Sequence, residues 1–138
     1  MSQENVEIVK AAIDAINRED WDAAFKDAAP GFEQDFSRAL GPYQGVYRLD
    51  QARGFIKEFN GTFESVRWEA DQLIDAGEHV VVFGTIYYGG RDGIETTASI
   101  KQVWTIRDGA CECLVMYQER QEALEAVGLS EQDAHADS

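Results

Sequence analysis

One stretch limits the fold more than any other: Ile94 to Arg107, set between Gly93 and the pair Asp108-Gly109. Taken at every second residue, it separates into two lists. Ile94, Thr96, Ala98, Ile100, Gln102, Trp104 and Ile106 form one, and Glu95, Thr97, Ser99, Lys101, Val103, Thr105 and Arg107 the other. Alternation sustained this long predicts a half-buried strand, apolar on one side and wet on the other. Straight, it would run about 46 Å at about 3.3 Å per residue, so in a small domain it must coil or bulge. Gln102 is the one large polar group in the apolar list. A buried amide without partners costs about 1–3 kcal/mol. Gln102 is therefore either a satisfied structural amide or the polar handle of a pocket.

Before this strand the chain reads mostly as helix. Val6, Val9, Ile13 and Ile16 repeat at helical spacing behind Ser2, an expected N-cap, and predict a helix to about Asn17. Asp20 caps a second, shorter helix with Trp21, Ala24, Phe25 and Ala28 inward, stopped by Pro30-Gly31. Phe32 to Ser37 is a short strand whose facing its length leaves open. Arg38 to Arg48, with Gly41-Pro42, Gly45, Tyr43 and Tyr47, reads as a loop, either over a cavity mouth or as a simple surface connection. Asp50 caps a third helix with Ala52, Phe55, Ile56 and Phe59 on one face, ending at Asn60-Gly61. Gly54 within it costs about 1 kcal/mol relative to Ala and hints at close backbone packing.

From Phe63 the period is two. Strands are expected over Phe63 to Ile74, His79 to Tyr88, Ile94 to Arg107 and Ala110 to Glu119. The second is apolar on both faces, hence central and covered twice. Gly89 to Gly93 and Asp108-Gly109 supply hairpin turns. A helix from about Arg120 to Val127, capped by Gly128, precedes an acidic stretch expected to be a frayed tail. Helices early and a meander late give an α+β fold: a strongly curved antiparallel sheet wrapped around helices, a cone with a hollow end. The expected division is one domain over residues 1–129 and a tail over 130–138.

The 138 residues carry 12 basic and 26 acidic side chains, a net charge of −14. That balance argues against nucleic acid or an anionic membrane surface as partner. No run approaches the ~20 apolar residues that span a bilayer, and no basic region followed by an apolar run opens the chain. A soluble, cytoplasmic protein is expected. Cys111 and Cys113, two apart on one strand, are expected to project to the same side as reduced thiols. With only His79 and His135 to add, no metal is expected, and no cofactor.

Several stretches carry a family resemblance: Ser2-Gln3-Glu4-Asn5-Val6-Glu7, Asn17-Arg18-Glu19-Asp20, and Gly41-Pro42 with Gly45-Val46-Tyr47-Arg48. Leu73-Ile74-Asp75-Ala76-Gly77, Val103-Trp104-Thr105-Ile106-Arg107-Asp108-Gly109 and Glu122-Ala123-Leu124 extend it. From Ser2 to about Leu129 the chain resembles the SnoaL-like branch of the nuclear-transport-factor-2-like, cystatin-like superfamily. Relatives include cyclases, isomerases, dehydratases, epoxide hydrolases and binding modules without chemistry, so the resemblance implies a fold more than a function.

The resemblance implies a site in the hollow between sheet and helices, with an acid at the end of the first strand as proton shuttle. Matching the helix-end proline puts Asp35 there; matching the preceding helix without a gap puts Phe36. Isomerase-like relatives use a tyrosine on the first helix and an acid on the long strand, where this chain has Ala12 and Gln102. As a base, Asp35 would need a pKa raised by apolar walls such as Phe32 and Phe36; otherwise it is a solvated carboxylate. Gln102 would orient substrate or stabilise an oxyanion. Phe55 and Trp104 are core or ligand wall, Tyr47 a phenol donor at the mouth, and the resemblance turns Leu114 and Met116 to the hollow. The expected partner is a small apolar or aromatic molecule, taken up with or without cofactor-free proton transfer. The resemblance also implies a homodimer through the exposed sheet face, where Val103, Val115 and Tyr117 stand.

Overall fold

Helix α1 (Ser2–Asn17) places Val6, Val9, Ala12 and Ile13 in the core, the stripe that its periodicity predicts. The computed structural model describes residues 2–90 and 92–137. The side chains of Ser2 and of residues 135–137 lie outside the described set, as does Arg91. The expected cap at Ser2, that arginine of the hairpin loop, and His135 fall there.

Asp20 caps α2 (Trp21–Ala24), its Oδ1 accepting the Ala23 N–H at 3.2 Å. The helix ends before Pro30-Gly31, which lie instead inside β1 (Ala28–Phe36). There the register shifts between Ala28 and Glu33. A bulge is where a strand tolerates proline, because no ladder N–H is needed. A 3-10 turn (Gly41–Tyr43) and a short strand β2 (Gly45–Arg48) occupy the expected loop. Helix α3 (Leu49–Thr62) begins one residue before Asp50; the Gln51 Oε1 accepts the Arg48 N–H at 3.0 Å and does the capping. It also runs past Asn60-Gly61, because Asn60 is a buried staple. Its Oδ1 accepts from Trp68 Nε1 at 3.2 Å. Nothing lies within 4 Å of a Cβ built on Gly54, so no close backbone approach explains that glycine.

The strands β3 (Ser65–Ala76), β4 (His79–Gly89), β5 (Glu95–Arg107) and β6 (Ala110–Met116) follow as a meander. The six strands form one curved sheet in the order β2-β1-β6-β5-β4-β3, antiparallel except for the β1–β6 pair. An extra residue, Asp71, bulges β3 against β4. A Cβ at Gly84 would stand 2.1 Å from the Glu69 carbonyl oxygen, so glycine alone fits opposite that bulge. β3 is an edge strand, and Asn17 at the end of α1 caps it. Its Nδ2 donates to the Trp68 carbonyl and its Oδ1 accepts the Trp68 N–H, both at 2.8 Å.

The sheet is covered on both faces. Inside, α1 and α3 pack on Val80, Val82, Ile100, Trp104 and Ile106. Outside, α4 (Arg120–Ala126) and α5 (Glu131–Asp137) bury Ala123, Leu124 and Ala134 against Ile74, Val81, Phe83 and Val103. The expected frayed tail is thus helical. Arg120 holds it in place, with its guanidinium 4.0 Å from the Phe83 ring centroid and its Nε–H shared between the two Glu131 carboxylate oxygens at 2.7 and 2.8 Å. Val103, expected on an open dimer face, is buried beneath these helices.

Candidate functional site

The strand alternation that opened the sequence argument places the site. Ile100, Gln102 and Trp104 of β5 all face a cavity of about 310 Å³ enclosed between sheet and helices. β6 adds Leu114 and Cys111, and β1 adds Phe32, Gln34 and Phe36. From the helical side come Ala12 and Ile13 of α1, Phe25 after α2, and Phe55 and Ile56 of α3. Trp68 of the stapled edge strand closes one end. The exposed members of the lining, Ala11, Asp14, Arg18 and Lys26, mark a mouth between α1 and the segment after α2.

The deep wall is apolar but for two carboxamides. Gln102 is 8% exposed and Gln34 6%. The Gln102 Oε1 accepts from Trp104 Nε1 at 3.0 Å. Gln34 sits between Tyr47 on β2 and Leu114 on β6, and its buried Nε2 has no hydrogen-bond partner among the described residues. A neutral amide is far cheaper to bury than a carboxylate, yet an unpaired donor still costs about 1–3 kcal/mol. Sequence reasoning does not single out Gln34. The signal was present, a polar residue at period two between two phenylalanines.

Asp35 stands elsewhere. Being next to Gln34 on an extended strand, it projects to the opposite face, in register with Val46 and Val115. Its Oδ1 accepts the Ser37 N–H at 2.9 Å and Arg38 lies 3.8 Å from its Oδ2. The Ser37 hydroxyl, the Ser37 backbone N–H and the Arg38 guanidinium hold its carboxyl below the ordinary carboxylate range. A base meant to work near neutrality needs the opposite shift. Phe36, the other residue aligned with the family's acid, lines the cavity and cannot shuttle a proton.

Of the other expected ligand contacts, Phe55, Trp104 and Leu114 line the cavity, whereas Tyr47 and Met116 do not. Tyr47 packs on Phe55, ring centroids 5.0 Å apart, and its hydroxyl donates to the Tyr43 carbonyl at 3.0 Å. Tyr43 meets Phe55 and Phe59 edge to face. The loop with both tyrosines therefore closes the cavity's flank with an aromatic cluster, and the mouth lies elsewhere. Met116 pairs with Gln102 across the ladder, at the end of β6.

The two cysteines part company. Thr105 pairs with Cys113 and its neighbour Ile106 with Cys111, so the bulge between them turns the thiols to opposite faces. Cys111 lines the cavity, where burial pushes its pKa up to about 12. Cys113 lies outside, beside Thr105 and Glu112. Its pKa too is raised, mainly by burial. His79 opens β4 half-buried, its Nδ1 2.9 Å from the Thr105 hydroxyl. Among the described residues no group of three His, Cys, Asp or Glu side chains is placed to hold a metal ion. No described helix is long and apolar enough to cross a membrane.

Known structures share this architecture. TerC co-crystallised with polyporic acid is 21% identical, covering 90% of this chain and 98% of its own, with a TM-score of 0.73. A nuclear-transport-factor-2-like protein of unknown function from Burkholderia pseudomallei is 22% identical, covering 91% and 98%, with a TM-score of 0.72. A ketosteroid isomerase-like fold from Catenulispora acidiphila, in complex with trimethylamine, is 16% identical over 91% and 95%, with a TM-score of 0.69. At these identities the likeness shows the fold alone. No curated protein matches the chain significantly in sequence. The family model of the SnoaL-like domain matches residues 9–112, and the chain belongs to that family.

Proposed function

We propose that the protein binds a small apolar or aromatic molecule in the cone cavity. One observation carries this reading: a cavity of about 310 Å³ whose deep wall is aliphatic and aromatic, with its charged side chains at the mouth. That is the composition of sites that take up small organic ligands. Two structural neighbours were crystallised with small organic molecules, polyporic acid and trimethylamine, which supports the same reading for this chain. Burial of the ligand's apolar surface supplies the affinity, and the carboxamides of Gln34 and Gln102 orient it.

Chemistry led by Asp35 is not part of this proposal, because that carboxylate is on the far face of β1, held ionised by Ser37 and Arg38. Any cyclisation, isomerisation or dehydration would have to use a proton acceptor at the mouth, where Asp14 and Asp27 lie. A homodimer is the second reading. It would use the strip of outer face left beside α4, where Val46 is 50% exposed and Val115 and Tyr117 are half-buried.

Calorimetric titration with 9-fluorenone and fluorene, rigid tricycles matched in shape, tests the binding reading. Saturable one-to-one binding with a negative heat-capacity change is expected, the mark of buried apolar surface. No binding of either molecule would overturn it.

A further inference from the structure

Resting on that reading, we infer that the cavity selects a neutral ligand carrying a hydrogen-bond acceptor, a ketone-like carbonyl oxygen, and that Gln34 Nε2 is the donor that reads it. Gln34 is 6% exposed, and its Nε2 is the one fully buried side-chain polar atom without a partner among the described residues. Buried polar groups are nearly always paired, and an exception needs an explanation. Neither cross-strand neighbour accepts from it: Leu114 has an apolar side chain, and the Tyr47 hydroxyl is turned to the Tyr43 carbonyl and makes no bond to Gln34.

Gln102 points to the same selection by a separate route. The Trp104 indole N–H can only donate, so it fixes which end of the Gln102 carboxamide it meets: the oxygen, at 3.0 Å. The Nε2 is the end left over for the ligand space. The deep wall therefore offers amide N–H groups from two strands. Its remaining deep ionisable group is the Cys111 thiol, kept neutral by burial. A ligand that could only donate would leave the Gln34 Nε2 as unpaired as before. A carboxylate would be desolvated without a buried cation to offset the cost. A carbonyl oxygen satisfies Gln34 at the cost of one weakly solvated acceptor, so the apolar body and the acceptor are both accommodated.

Three matched tricycles separate the possibilities on the intact protein: 9-fluorenone has an acceptor, carbazole a donor, and fluorene neither. Titration calorimetry on the wild type should rank 9-fluorenone first, at least about fivefold tighter than fluorene, with carbazole no tighter than fluorene. In Gln34→Leu the preference should collapse to within about twofold, with fluorene binding retained as the check that the cavity survives. Gln34→Met, which keeps the side-chain length, should give the same collapse. Equal affinities for all three in the wild type, as when a bound water serves Gln34 in every complex, would overturn the inference and leave the binding reading intact. A preference for carbazole would reverse the polarity assigned to the wall and overturn it too. A preference for 9-fluorenone persisting in both variants would remove Gln34 from the role. If none of the three binds, the binding reading itself fails.

Discussion

Trp104 and Gln102 stand two residues apart on β5, and the indole Nε1 donates to the carboxamide oxygen at 3.0 Å within the cavity wall. This bond does two things. It satisfies the one polar atom of the most buried tryptophan, 7% exposed, and it sets the orientation of the amide that faces the ligand space. The polar residue in the apolar list is thus both a satisfied structural amide and part of a pocket.

Gln102→Leu should cost about 1–3 kcal/mol in urea unfolding, because it leaves the indole N–H buried without an acceptor. Adding Trp104→Phe removes that orphan donor. The double variant should lose less than the sum of the two single changes, with a coupling of about 0.5–3 kcal/mol. Additive losses would mean the bond contributes nothing.

Asp35→Asn should leave affinity for 9-fluorenone within about twofold of wild type, as for a surface change away from the site. Its effect should appear in acid. The folded-state pKa is depressed, so the ionised carboxylate stabilises the fold above its unfolded pKa, about 3.9. That contribution is lost as pH falls through the folded value. Thermal unfolding followed from pH 6 to 2 should therefore fall less steeply in Asp35→Asn than in wild type. A large loss of ligand affinity in this variant would return Asp35 to the site.

Gly54→Ala should raise stability by about 0.5–1 kcal/mol, a Tm increase of about 2–4 °C. The position is inside α3, exposed, and a Cβ there meets nothing within 4 Å. A fall in Tm would show that the glycine serves a contact beyond this chain.

The fold was legible wherever the period was long. β5 declared its inner face by its alternation, and Ile100, Gln102 and Trp104 line the cavity as that pattern requires, whereas Ile94, expected to open the strand on that face, precedes it and is 65% exposed. β4, apolar on both faces, is central and covered twice. Bulges broke the rule elsewhere. The shift between Thr105 and Ile106 separates Cys111 from Cys113, and no residue type marks it. The bulge in β1 puts Pro30-Gly31, a sound helix stop by composition, inside a strand. Facing in the short run from Phe32 to Phe36 depended on the partner strand, so Gln34 and Asp35 could not be told apart as wall and outside. α5 escaped detection because its anchor is one buried alanine and one arginine clamp, with no apolar stripe to read.

The central claim is that the ligand enters the cone and meets its carboxamides. Its most direct test is a titration of the ¹⁵N-labelled protein with 9-fluorenone, followed by backbone and side-chain amide resonances. The account predicts shifts concentrated at Ala12, Ile100, Leu114 and Trp104, and at the side-chain NH₂ groups of Gln34 and Gln102, with Asp35 and Val103 unmoved. Shifts confined to the outer sheet face or α5, or none at saturating probe, would contradict it.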